Sequence, residues 1–102
     1  MLESLTQETF KENLNSAFTL QIGEDKSLVL ELIDCNDLGS TEIQDQFSLI
    51  FRGPGDPYLQ QMIYSLRHEK LGELSLFLVP VGKGADGFHY EAIINRFREL
   101  AV

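Results

Sequence analysis

Apolar and polar residues alternate along most of this chain, with a period of two rather than 3.6. AFTLQIG (17–23) sets Phe18, Leu20 and Ile22 on one face and Thr19 and Gln21 on the other. After the turn-forming EDK, SLVLELIDC puts Leu28, Leu30 and Leu32 opposite Val29, Glu31 and Ile33, so the two segments predict a hairpin. QFSLIFRG alternates Phe47, Leu49 and Phe51 against Ser48, Ile50 and Arg52. MIYSLRHE sends Met62, Tyr64 and Leu66 one way and Ser65, Arg67 and Glu69 the other. KLG then turns the chain into ELSLFLVPVG, whose second half is apolar on both faces. Pro80 has no N–H for a ladder, so it is expected at an edge or at the end of that strand.

Other segments interrupt or blur the alternation. Residues 36–45 are polar and turn-rich and read as a loop, and KGADG reads as a flexible loop. Near the start, Ser4 with Gln7 three residues later suggests a helix cap, and Leu5, Phe10 and Leu14 form a partial stripe, predicting a short helix over about 5–13. Residues 91–100 fit either period. Their aromatic approach, Phe88 and Tyr90, favours a strand to about residue 96. The sum is a mainly β chain of six short, turn-connected strands over about 16–97. With no helical crossovers for parallel pairing, the expectation is an antiparallel barrel or two-sheet sandwich with one short N-terminal helix.

Composition narrows the class. A chain of 102 residues, 43% apolar with ten Phe or Tyr, is expected to be one domain with a real core. Sixteen acidic residues against eight basic ones give a net charge of −8, which disfavours nucleic acid and anionic membrane surfaces as partners. Cys35 is the only cysteine, so no internal disulfide can form. The polar N-terminus lacks a signal-peptide pattern, and no apolar run approaches the ~20 residues of a membrane span. A cytoplasmic location is expected, with export as part of an assembly left open.

Little catalytic chemistry stands out. FRGPGDP (51–57) invites comparison with a phosphate cradle, but Pro54 and Pro57 remove N–H donors and Asp56 would repel an anion. It reads instead as a stiffened strand-to-strand corner, with Gly53 and Gly55 supplying positive φ or close approach. His68 and His89 lack metal-ligand spacing and read as lone, partly exposed histidines. Cys35 has no basic neighbour to activate it, and no nucleophile elbow is present. Neither a cofactor nor a catalytic residue is expected. A binding surface fits better: Arg52, Tyr58, Gln61 and Tyr64 lie close in sequence, and their residue types suit partner contacts.

FSLIFRGP, LQQMIYSLRHEKLGELSLFLVPVG and YEAIINR together resemble a family of small bacterial domains of uncharacterised function. The resemblance spans most of 17–97. It is carried by Phe47, Ser48, Leu49, Phe51, Gly53, Pro54, Gln61, Tyr64, Leu71, Gly72, the run from Phe77 to Gly82, and Tyr90, Ala92, Asn95 and Arg96. Gln60 and Met62 depart from the pattern, which has proline and glycine there. The resemblance implies no activity. It implies an accessory or assembly role beside tail-fibre or tail-collar-like proteins of phage-like particles. Together with the apolar second face of 28–34 and 74–81 (Val29, Ile33, Phe77, Val79, Val81), it favours a non-enzymatic module with a protein partner or self-association. The alternative is a carrier holding an apolar ligand in a barrel interior or mouth.

Overall fold

The computed structural model describes residues 5–56 and 58–97. Helix α1 (Gln7–Glu12) precedes β1 (Ala17–Ile22), β2 (Lys26–Asp37), β3 (Gln44–Gly53), β4 (Met62–His68), β5 (Gly72–Gly84) and β6 (Gly87–Phe97). Every pairing is antiparallel, and the order β1-β2-β3-β6-β5-β4 returns from β4 to β1. The six strands therefore form a closed, barrel-like ring around one interior.

The alternation read from the sequence sets what lies inside. Phe18, Leu20, Leu30, Leu32, Phe47, Leu49, Phe51, Leu66, Leu78 and Tyr90 are essentially fully buried. Phe18 meets Phe51 edge-on with ring centroids 5.2 Å apart, a favourable quadrupole geometry. Two irregularities break the simple period. Between Leu32 and Asp34 the β2 register shifts, so the inward position passes from Leu32 to Cys35. In β5 the shift falls between Pro80 and Gly82. Pro80 therefore sits within β5, opposite Tyr90, rather than at an edge or a strand end: a bulge tolerates the missing N–H.

The loops are tighter than the composition suggested. KGADG is mostly ladder, with Gly84 paired to Gly87 and only Ala85 and Asp86 between them. Asn36, Asp37, Gln44 and Asp45 belong to strands, and β6 runs to Phe97, so the strand reading of 91–97 holds. Residues 98–100 of that ambiguous segment lie outside the described residues, as does Ser4. The helix cap is Thr6, whose Oγ1 accepts the Thr9 N–H at 3.1 Å.

Both ends of the ring are closed. At one end Phe10 of α1 is fully buried, its ring 5.9 Å from that of Phe47. Asp37 holds the helix there by accepting from Gln7 Nε2 and from the Ser40 hydroxyl and N–H, and these bonds lower its pKa to about 2. At the other end the chain must travel from β3 to β4, which stand on opposite sides of the ring. Residues 54–56 and 58–61 lie on that crossing, and Leu59 among them is buried, with its N–H donated to Tyr90 Oη at 3.0 Å. Phe51, Arg52 and Gly53 thus end β3, and Pro54 begins a strap across the barrel mouth. Pro57 lies outside the described residues.

The strap yields a first prediction. Tyr90→Phe keeps the ring but leaves the buried Leu59 N–H unpaired, at a cost of about 1–2 kcal/mol. Chemical denaturation of the two proteins side by side measures the difference, and equal stabilities would show that the strap does not depend on this bond.

Candidate functional site

The sequence grouped Arg52, Tyr58, Gln61 and Tyr64 by proximity along the chain. The fold separates Arg52 from the tyrosines. Arg52 points outward from β3, where its guanidinium pairs with Glu31 of β2 and, at 3.0 Å, with Asp86 of the β5–β6 turn. His89, opposite Arg52 in the ladder, brings Nε2 within 3.4 Å of the other Asp86 oxygen. The two carboxylates hold the Arg52 pKa above its ordinary value, and Arg52 in turn holds the Asp86 carboxyl below its own. A cation so matched stitches strands together and has little charge left for a ligand. It lines a shallow groove with Val29, Glu31, Gly53, Pro54 and Asp86.

Tyr58 and Tyr64 line a different, open groove of about 460 Å³, together with Leu59, Met62, Ile63 and Ile22. Tyr58 is 52% exposed and stands edge-on to Phe88, ring centroids 4.9 Å apart, so its ring is positioned without being covered. Tyr64 is half-buried, and its hydroxyl donates to the Gln60 carbonyl at 2.7 Å, which fixes the chain where the strap enters β4. Burial and the neighbouring Tyr90 raise the Tyr64 pKa, so the hydroxyl stays protonated. Gln61 is exposed on the strap beside this groove.

The groove exists because β1 and β4 part. Their ladder comprises Phe18 with His68, Thr19 with Arg67 and Leu20 with Leu66, and stops there. Gln21 and Ile22 go on pairing with β2, and Met62 to Ser65 go on pairing with β5. The side chain of Gln21 turns back to the carbonyls of Gly23 and Glu24 at 3.0 and 3.3 Å, closing its own turn rather than bridging the gap.

Ile63 connects this groove to a second apolar feature. It pairs with Phe77 across β4 and β5. On the other side of β5, the ladder with β6 ends at Val79 with Glu91, two residues short of Phe77. Ile63, Phe77 and Ile93 all face outward, 67%, 48% and 60% exposed. Of the outward apolar residues expected to need a cover, Val29, Phe77 and Val81 are exposed, while Ile33 and Val79 are half-buried.

The two histidines occupy unlike environments. His89 lies on the outer face. His68 faces inward and is buried, not partly exposed as a lone histidine on this sequence was expected to be. Its Nδ1 accepts the N–H groups of Lys70 and Leu71 at 3.0 and 3.1 Å. Nε2 therefore carries the proton and donates to Ser16 Oγ at 2.8 Å, and Ser16 donates onward to the Asn13 carbonyl. Gly53 provides close approach, its missing Cβ leaving room for Leu30 and Tyr90. Gly55 has neither positive φ nor a close neighbour. Sequence reasoning missed Ile63 as part of the surface and Leu59 as a buried residue lining the groove. Their common signal, apolar residues at strap and outward positions, acquires meaning only once the strands are paired.

Among the described residues, no cluster of three or more His, Cys, Asp or Glu could hold a metal ion, and no helix is long and apolar enough to cross a membrane. No curated protein and no solved structure matches the chain significantly. Residues 5–94 match the family described as a domain of unknown function (DUF6916), and the chain belongs to that family.

Proposed function

We propose that this DUF6916 domain is a non-enzymatic interaction module. One observation carries the reading: an exposed apolar surface runs from the Tyr58–Tyr64 groove through Ile63 to Phe77. Outward positions of a soluble antiparallel sheet are usually polar, and a contiguous apolar stretch marks a contact surface. Its aromatic and aliphatic members are rigid side chains that lose little entropy on binding. The interior counts against the apolar-ligand carrier, because Phe18, Phe51, Leu30 and Tyr90 fill it and α1 and the strap close its ends. A place beside phage-tail-like or tail-fibre-like proteins rests on the sequence resemblance alone. The −8 charge supports a basic protein surface as the partner rather than nucleic acid.

The double variant Ile63→Glu/Phe77→Glu tests the reading. Both side chains are outward, so the melting temperature changes by a few degrees at most. Association, followed by light scattering over a concentration series and by crosslinking in host extract, is lost in the variant. A wild-type protein that stays monomeric and captures the same proteins as the variant would refute the module.

A further inference from the structure

The parted seam between β1 and β4 specifies what kind of partner the module takes. Backbone N–H and C=O groups of a strand point alternately to its two neighbours. From Met62 to Ser65, β4 has a ladder partner on its β5 side, while the β1 ladder has ended at Leu66. The other half of its backbone groups therefore faces the groove. We propose that this edge is a strand-addition site, which takes an extended segment of a different, basic polypeptide alongside Met62–Ser65. The inference rests on the reading of the protein as an interaction module and deepens it.

Main-chain pairing supplies the affinity in such sites, and pockets for alternate side chains supply the specificity. Both are present. One set of side chains from an added strand would enter the groove between Ile22, Leu59 and Tyr64, which are all at least partly buried. The other set would lie on the outer face beside Ile63 and its exposed ladder neighbour Phe77. The segment should therefore be apolar at alternate positions.

Charge decides between a second copy and a foreign chain. Glu24 and Asp25 follow Gly23 at one rim of the groove, with Lys26 beside them opposite Ile22, and Asp56 lies two residues before Tyr58; all four are exposed and the balance is acidic. Two copies, each with a net charge of −8, would bring like-charged rims together. Lysine or arginine at the flanks of an incoming strand meets the opposite sign. Met62 puts an adaptable side chain on the groove wall.

The experiment is selection from a random displayed peptide library against the folded protein, followed by hydrogen exchange and binding of synthetic copies of the enriched peptides. The expected binders alternate apolar and basic residues, weaken as salt rises, and protect the amides among Met62–Ser65. N-methylation of one alternate set of peptide residues should weaken binding by about tenfold or more, and methylation of the other set should leave it nearly unchanged. Binders that tolerate both methylations, that are acidic, or that protect β5 and β6 instead overturn strand addition while leaving an interaction module in place. No enrichment overturns strand addition, and the Ile63→Glu/Phe77→Glu comparison then decides the module separately.

Discussion

His68→Leu should lower the stability of the domain by about 3 kcal/mol, a fall of roughly 10–20 °C in melting temperature for a chain of this size. The leucine fills much of the space and keeps the apolar contact with Phe18, whose ring centroid lies 4.5 Å from that of the imidazole. It cannot accept the Lys70 and Leu71 N–H groups, nor donate to Ser16. Those groups tie the β4–β5 turn to the segment after α1, so the loss falls on two parts of the fold together. His68→Asn retains an acceptor near the position of Nδ1 and should recover part of the loss. If leucine and asparagine are equally costly, the hydrogen bonds are not the cause.

The same residue gives the domain a dependence on pH. Burial lowers the His68 pKa, with Glu69 opposing the shift and Lys70 adding to it. A proton on Nδ1 would also point at two N–H donors. The unfolded chain takes up that proton near pH 6.5 and the folded chain only at lower pH. The contribution of neutral His68 is therefore complete above about pH 6.5 and is lost as pH falls towards the folded pKa. Denaturation curves between pH 8 and pH 5 should show this slope in the wild type and a shallower one in His68→Leu. Equal slopes would place the pH dependence elsewhere.

The alternation that predicted the strands is a local signal: each residue's face follows from its neighbours two positions away. Phe18, Leu20, Leu30, Phe47, Phe51 and Leu66 could be assigned inward without knowing which strand lay beside which. Closure of the ring depends on pairs far apart in sequence, Phe18 with His68 and Phe47 with Ile94, and no periodicity encodes them. The bulges were hidden for a related reason. A register shift shows only against a partner strand, so the inward turn of Cys35 and the tolerance of Pro80 within β5 were not visible. The tyrosine groove was half legible. Tyr58 and Tyr64 could be chosen by residue type and nearness, but the gap that makes them a groove is created by the early end of the β1–β4 ladder. Arg52 was chosen by the same reasoning, and the fold commits it to Glu31 and Asp86.

Gly87→Ala should be more damaging still, at about 3–5 kcal/mol. Gly87 has φ +126°, a conformation essentially closed to side chains. A Cβ there would stand 2.0 Å from the carbonyl oxygen of Gly53, with the Gly53 carbonyl carbon at 3.1 Å. Backbone cannot rotate aside as a side chain can, so the β5–β6 turn and the start of the strap would have to separate. Gly53→Ala is the instructive contrast. Its Cβ would meet Leu30 Cδ2 at 2.7 Å and the Tyr90 ring at 3.2 Å, both side-chain atoms, and Gly53 has no positive φ. Repacking of Leu30 should limit that cost to about 1–2 kcal/mol. Thermal melts rank the two variants, and a Gly53→Ala as unstable as Gly87→Ala would mean that Leu30 cannot yield. The consequence reaches the binding surface, because Phe88, which steadies Tyr58, directly follows Gly87. Gly87→Ala that still folds at low temperature should therefore lose affinity for groove-binding peptides, whereas Gly53→Ala keeps it. Retained affinity in Gly87→Ala would show that the tyrosine groove does not rely on this corner.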